Sequence, residues 1–199
     1  MPNLEIESQY IKKIVAGVDE VGRGPLAGPV VAGAVIIMPE VYIEGIKDSK
    51  KISPKKREAL NQLIMNNYIY AIGTASVEEI DRLNILQATK LAMTRAVSKL
   101  PLLPDIVLVD GNMKFDDSKY ISIVGGDNIS LSIAAASIIA KVYRDDLMKK
   151  LSLTYPQYGW EKNSGYGTSM HVAAVKQHGV TKEHRKKFVS RFISDFTFV

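Results

Sequence analysis

Four carboxylates in this 199-residue chain stand just after apolar runs: Asp19 and Glu20 after residues 14–18, Asp110 after 106–109, and Asp127 after 120–126. Carboxylate oxygens are hard donors, and four together suit Mg²⁺ or Mn²⁺ better than zinc. Two such ions ~4 Å apart can clamp the attacking water and the leaving oxygen of an in-line displacement. Phosphoryl transfer asks for positioning and charge neutralisation rather than covalent help. Acids and metals therefore suffice for phosphodiester hydrolysis, and the sequence shows no nucleophilic triad. Any one of these acids alone reads more simply as a turn or capping residue. The loop Val21-Gly22-Arg23-Gly24-Pro25, directly after the first pair, tips the set toward the metal reading.

The elements that must hold these acids follow from periodicity. Residues 14–19 read as a strand. Strand side chains alternate between faces, so Asp19 and Glu20 share a site only if the chain turns, and the glycines downstream are expected to bring Glu20 round. Residues 29–38 should pair antiparallel with that strand as a hairpin. Residues 105–109 are nearly all apolar, the mark of a strand buried on both faces. If it lies parallel beside the first strand, Asp19 and Asp110 emerge at the carboxyl edge of the sheet, where sites form in open α/β folds. Asp127 precedes a long helix expected from Ser130 to about Lys150, whose dipole favours a carboxylate there. Its apolar positions are Ile129, Ile133, Ala136, Ala140, Tyr143 and Leu147, and its first half, apolar nearly all round, belongs deep in the core.

Ser53 reads as an N-cap with Pro54 at the first helical position, for a helix with Leu60, Leu63 and Ile64 on its apolar face. Residues 68–75 form a strand, 77–83 a short helix, and Asn84 caps a helix ended by Pro101 and Pro104. Residues 120–124 are a short strand, and 1–13 a terminal strand or loose arm. Beyond 151 the pattern changes. Residues 155–160 are aromatic, 161–168 polar and glycine-broken, with short helices near 169–178 and 182–189. The fold class is α/β: a mixed β-sheet flanked by helices, forming a catalytic domain over 1–150, with a small C-terminal helical subdomain over 151–199 that contacts substrate.

Composition narrows the setting. The absence of cysteine excludes disulfides, iron–sulfur clusters and cysteine-ligated zinc, and fits a cytoplasmic protein. No signal-peptide pattern is visible, and the apolar run 28–38 is too short to span a bilayer, so no membrane association is expected. Net charge is +5. Basic residues crowd 47–57, 141–150 and 182–191, away from the four acids. Metal-binding acids within a basic protein point to a polyanionic substrate, nucleic acid.

Residues 19–30, Asp-Glu-Val-Gly-Arg-Gly-Pro-Leu-Ala-Gly-Pro-Val, resemble the signature of the ribonuclease HII family, the type 2 ribonucleases H. Further blocks look like that family's in its order: Asp48-Ser49-Lys50-Lys51; Ala134 to Val142 with Arg144-Asp145; Gly165-Tyr166-Gly167-Thr168; and His184-Arg185. The likeness spans about residues 14–188, and ordered blocks are specific where a lone glycine loop is not. It implies an RNase H-like fold, with Asp19, Glu20, Asp110 and Asp127 as the catalytic, metal-binding acids and Mn²⁺ or Mg²⁺ as cofactor, two ions in the catalytic complex. It implies cleavage of RNA in RNA–DNA hybrids and incision 5′ of single ribonucleotides embedded in duplex DNA, leaving 5′-phosphate and 3′-hydroxyl ends.

The resemblance also implies that Gly22, Arg23, Gly24 and Tyr166 contact the ribonucleotide, whose 2′-hydroxyl distinguishes RNA from DNA. Taken by itself, Tyr166 is as easily a packing aromatic. Lys47, Lys50, Lys51, Lys141 and Arg144 are candidate phosphate contacts, and each is as readily a solvated charge. His184 and Arg185 sit in a basic run placed to touch duplex. Asp145, beside Arg144 late in the helix, reads as a structural pair or a solvated residue. His171, His178 and His184 are too scattered for a zinc site. Lys187 and Asn163-Ser164 depart from the family pattern. A Gly-Lys-Gly loop and an added N-terminal domain would mark the sister type, ribonuclease HIII; Arg23 and the short arm before Ile14 argue against it. A junction resolvase of the same fold would also use clustered acids, and a non-catalytic nucleic-acid binder would need none. A monomer is expected, protein partners stay open, and the apolar tail 192–199 reads as docked on the protein's own core or as a partner peptide.

Overall fold

A computed structural model of the chain describes residues 1–193. Five strands form one mixed sheet: β1 (Val15–Val21), β2 (Val30–Ile36), β3 (Ile69–Ala75), β4 (Ile106–Asp110) and β5 (Tyr120–Ile123), in the order β3-β2-β1-β4-β5. The expected hairpin is present, since β1 and β2 run antiparallel with Asp19 opposite Gly33. β1 and β4 run parallel with Val18 opposite Val109. The next residues along these two strands are Asp19 and Asp110. Strand β1 runs on through Glu20 to Val21, so the turn comes two residues later than expected and Glu20 keeps the strand's alternation.

Helices cover both faces. On one side α4 (Leu131–Thr154) crosses β1 and β2, and α1 (Pro54–Asn67) packs outside it; on the other lie α3 (Ile85–Ser98) and α2 (Val77–Leu83). The caps expected at Ser53 and Asn84 form: Ser53 accepts from Lys56 N, and Asn84 from Leu86 N and Gln87 N. Ser130, expected inside the long helix, is instead its N-cap and accepts from Ile133 N. Helix α4 approaches the sheet closely because glycines lie beneath it. A Cβ on Gly17 would stand 2.2 Å from the Ser132 carbonyl carbon, and one on Gly33 would stand 2.5 Å from the Ala136 oxygen. Thus the face of β1 that carries Gly17 and Asp19 looks onto α4, and the face that carries Ala16, Val18 and Glu20 looks onto α3.

Three expectations are corrected. The buried stripe of α4 is Ile133, Ser137, Ala140, Arg144 and Met148, rotated from the one expected; Tyr143 and Ile129 are exposed, as is Leu63 on α1. The N-terminal arm is neither a strand nor loose. It makes one bridge, Asn3 to Ser130, and Glu7 Oε1 accepts from Ser130 Oγ, Ser132 N and Ser132 Oγ, capping α4 from outside. The last helix, α7, is confined to Lys186–Val189. Residues 181–184 form a turn, and Arg185 N donates to Leu26 O, drawing the chain off a helical path.

After α4 come α5 (Trp160–Asn163), which begins inside the stretch expected to be irregular, and α6 (Ser169–His178). Their core of Tyr158, Trp160, Ala174, Val175 and Val180 closes on Leu26, Ala27 and Met148. The loop after β1 is therefore a packing surface for the C-terminal segment. Most of the apolar tail, residues 194–199, lies outside the described residues.

Candidate active site

The carboxylates of Asp19, Asp110 and Asp127 come together so that one oxygen of each lies within 4.8 Å of the others. Each arrives by a different route. Asp19 rides β1 toward α4, is 5% exposed, and accepts from Glu20 N at 2.7 Å and from the Ser137 hydroxyl. Ser137 in turn meets Ser49 at 2.8 Å. Asp110 ends β4. Asp127 lies in a single 3-10 turn before α4 and accepts from Asn128 Nδ2 at 2.6 Å. Asn128 Oδ1 takes a hydrogen bond from Lys51 Nζ.

The charges strain against one another. Burial, then Glu20 and Asp110, hold the Asp19 carboxyl well above the usual carboxylate range. Burial, then Asp110 and Asp48, raise Asp127. Burial also raises Glu20, against the pull of Arg23. Lys50 answers from the other side. Burial opposes its charge, but Asp19, Asp48, Asp127 and Asp110 outweigh that and raise its pKa. Oδ1 of Asp110 is buried without a hydrogen-bond partner. An orphaned carboxylate oxygen among converging all-oxygen donors fits a hard divalent cation.

Glu20 stands apart from the three aspartates. Its Oε1 lies 3.3 Å from Arg23 Nη1, so it faces the glycine loop. That loop is held from below. Gly22 takes φ +91°, and a Cβ there would lie 2.1 Å from Arg144 Nε. Arg144 and Arg185 are fully buried. Arg144 donates to the carbonyls of Pro29, Ser164 and Ala27. Arg185 donates to Gly28, Arg23 and Gly22. Burial lowers the two guanidinium pKa values to about 10 and about 9, and Arg144 adds to the effect on Arg185. Both stay charged at neutral pH, and charge-assisted bonds to main-chain oxygens replace a carboxylate partner.

These placements correct the candidate phosphate contacts. Arg144, His184 and Arg185 lie beneath the loop and are shielded from solvent; none can touch a duplex backbone. Lys141 is paired with Asp145 at 2.7 Å, and Arg57 lies 3.6 Å from the same carboxylate. Asp145 therefore ties α4 to α1, and Arg144 is not its partner. Lys50 and Lys51 are exposed beside the acids and Lys47 is half-buried. Arg23 and Gly24 are exposed on the loop. Tyr166 is 43% exposed, with its ring 3.7 Å from the position a Gly24 Cβ would take. Sequence reasoning gave no role to Ser137, Ser49 or Asp48. A spacing signal existed, since Ser137 and Arg144 interrupt the 133–137–140–144–148 stripe that faces the sheet.

A mixed five-stranded sheet between helices, with acids at the ends of its adjacent parallel strands, defines a ribonuclease H-type nuclease fold. The crystal structure of ribonuclease H2 from Pyrococcus horikoshii matches it with a TM-score of 0.71 and 30% identity, over 89% of this chain and 98% of that one. A ribonuclease HIII crystallised with Mn²⁺ shares the fold with a TM-score of 0.69 at 19% identity, over 96% of this chain and 68% of that one. The model of the family described as Ribonuclease HII matches residues 16–193. A ribonuclease HII of Orientia tsutsugamushi is 57% identical over 187 residues, 94% of this chain and 91% of the relative. The chain belongs to the ribonuclease HII family. It is an endoribonuclease of the ribonuclease H type, acting on the RNA strand of hybrids.

Proposed function

We propose that this enzyme incises duplex DNA 5′ of a single embedded ribonucleotide, as well as RNA in longer hybrids, leaving 5′-phosphate and 3′-hydroxyl ends. The supporting observation is that the exposed Tyr166 ring flanks Gly24, 3.7 Å from where a Gly24 Cβ would stand, on a loop joined to the acids through Arg23 and Glu20. Gly22, Arg23 and Gly24 bring a bare backbone and one guanidinium to the sugar–phosphate. Tyr166 offers a ring to the ribose and a hydroxyl to its 2′-oxygen. Phosphate contacts fix register, while the 2′-hydroxyl carries the distinction between RNA and DNA.

Asp19, Asp110 and Asp127 would hold the divalent ions, Mg²⁺ or Mn²⁺, with Glu20 as the further acid of the site, two ions in the catalytic complex. When bound, these ions neutralise charge at the scissile phosphate and make the attacking water more acidic. Ser137 orients Asp19 by its hydrogen bond. Lys50, already drawn to the acids, meets the phosphate charge as substrate arrives. The turn before α4, tied by the Asn128–Lys51 hydrogen bond, keeps Asp127 in place.

The deciding experiment compares four duplexes: one carrying a single ribonucleotide, one hybrid, one all-DNA, and one four-way junction, with Mg²⁺ or Mn²⁺ and the cut position mapped. Cutting 5′ of the ribonucleotide, absent from the all-DNA duplex, is expected. Equal cutting of all-DNA duplex or preference for the junction would overturn the proposal.

A further inference from the structure

Two buried imidazoles, His171 on α6 and His184 in the turn before α7, lie with their Nε2 atoms 3.1 Å apart. Both are essentially inaccessible, at 0% and 2% exposure. Neither reaches the acids, and nothing in the hydrolysis described above uses them.

Their tautomers are dictated by neighbours that can only donate. Trp160 Nε1–H donates to His171 Nε2 at 3.0 Å. An indole nitrogen has no acceptor capacity, so His171 Nε2 carries no proton. The proton of neutral His171 is then on Nδ1, where it donates to the carbonyl of Tyr166 at 2.9 Å. The amide N–H of Thr181 points at His184 Nδ1 at 3.0 Å and can only donate, so that nitrogen is also bare, and the Thr181 hydroxyl 3.1 Å away turns its proton toward it. His184 carries its proton on Nε2 and directs it at the one lone pair of His171 Nε2, which it shares with the Trp160 N–H in a three-centre arrangement. One directed chain results: Thr181 N–H to His184, His184 to His171, His171 to Tyr166. Burial holds both imidazoles below their usual pKa, which keeps the chain neutral and its direction fixed.

Both ends of this chain reach loops that flank the catalytic acids. Residue 184 bridges Ala27, and Arg185 beside it grips Gly22, Arg23 and Gly28. The far end is the backbone of Tyr166. Tyr158 stacks on Trp160 at 5.2 Å and meets His184 edge-on at 4.7 Å, closing the network to water.

We propose that His171 is a positioning residue for ribonucleotide recognition: its Nδ1–H fixes the Tyr166 carbonyl, and His184 selects the tautomer in which it can do so. This rests on the reading of Tyr166 given above. Two conservative variants separate positioning from packing. His171→Asn places an amide N–H near the Nδ1 position and keeps the bond to Tyr166 while losing the inner acceptor. His171→Gln reaches the Nε2 position, keeps an acceptor for Trp160, and loses the bond to Tyr166.

The measurements are kcat and KM on a duplex with one ribonucleotide, with Tm recorded for every variant. The expected result is about tenfold lower kcat/KM for His171→Gln, the equivalent of one hydrogen bond, with His171→Asn retaining most of the activity although both lower Tm. In a Tyr166→Ala background, His171→Gln should cause no further loss. Activity that simply tracks Tm in both variants, or an undiminished loss in the Tyr166→Ala background, overturns the proposal. A Tyr166→Ala enzyme with wild-type kcat/KM overturns the role of Tyr166 and this inference together. Loss in Tyr166→Ala with none in His171→Gln overturns this inference alone.

Discussion

Gly22 and Arg144 compete for one volume. A methyl group on residue 22 would sit 2.1 Å from Arg144 Nε and 2.7 Å from its Cδ. The guanidinium cannot step aside without releasing three main-chain carbonyls in a buried setting. The backbone at Gly22 also has φ +91°, a conformation that an L side chain adopts at a cost of roughly 1–2 kcal/mol.

Gly22→Ala is therefore expected to lose both stability and function. Destabilisation should exceed ~2 kcal/mol, combining backbone strain with displaced hydrogen bonds. Cleavage at a single ribonucleotide should fall by more than ~10-fold, since Arg23 and Gly24 follow the distorted residue. Gly24→Ala is the control. Its Cβ would meet only Tyr166, at an ordinary 3.7 Å, so Tm should hardly move. Chemical denaturation and steady-state kinetics on both variants check this. Equal destabilisation by the two would refute the account of Gly22.

Arg185 tests whether charge or shape holds the loop. Its guanidinium serves three carbonyls at once through a planar fork. Lysine keeps the charge but cannot reproduce the fork. Arg185→Lys is expected to cost ~2–4 kcal/mol, nearly as much as Arg185→Met, because carbonyl oxygens of Gly22, Arg23 and Gly28 lose their donors. Urea unfolding midpoints at fixed pH distinguish the outcomes. A lysine variant close to wild type would mean that charge alone suffices.

Arg144 and Arg185 also show what sequence conveys and what it hides. The strands, the caps at Ser53 and Asn84, and the convergence of Asp19 with Asp110 were legible, because periodicity and capping chemistry are local. The glycines under α4 were not, since their function lies in another element's approach. A basic residue next to an acid, as in Arg144-Asp145, looks in sequence like a pair or two solvated charges. In the fold one lies on the buried stripe of α4 and the other joins Lys141 and Arg57. Burial of a cation depends on carbonyls that are mostly more than a hundred residues away, which no local pattern records. Glu20 follows Asp19 in sequence, but its orientation toward Arg23 and away from the three aspartates depends on where β1 ends.

The acids predict an opposition between stability and activity. Without metal, Asp110 raises the pKa of Asp19 and Asp127, after the larger effect of burial, and its own Oδ1 is unpartnered. Asp110→Asn removes a repelling charge at nearly constant shape. The metal-free variant is expected to be more stable than metal-free wild type by ~1 kcal/mol, while cleavage is abolished. Adding Mg²⁺ or Mn²⁺ should raise the Tm of wild type by mass action and move the variant far less. Thermal scans with and without each ion, beside hybrid-cleavage assays, provide the check. A metal-free variant less stable than wild type would show that Asp110 has a structural partner instead.

The His171–His184 pair predicts the acid limb of stability. Burial, then the facing His171, pushes the His184 pKa from 6.5 down to about 3. Between those values the unfolded chain binds the proton and the folded protein does not. The stabilising contribution is thus complete above pH ~6.5 and lost progressively as pH falls toward 3, with a slope of up to ~1.4 kcal/mol per pH unit. His171, lowered mainly by burial, adds in the same direction. Asp19, Glu20 and Asp127 act oppositely, because raised carboxyl pKa values make the folded protein bind protons first. A difference measurement removes that opposition. His184→Asn keeps an acceptor for Thr181 N–H but has no proton to gain. Its stability deficit against wild type, read by denaturation from pH 7.5 to 5, should shrink as pH falls and reverse sign once the imidazole's protonation costs more than its hydrogen bonds contribute. A deficit constant over that range would mean that His184 is as easily protonated in the fold as in the unfolded chain, which its burial against His171, Trp160 and Tyr158 opposes.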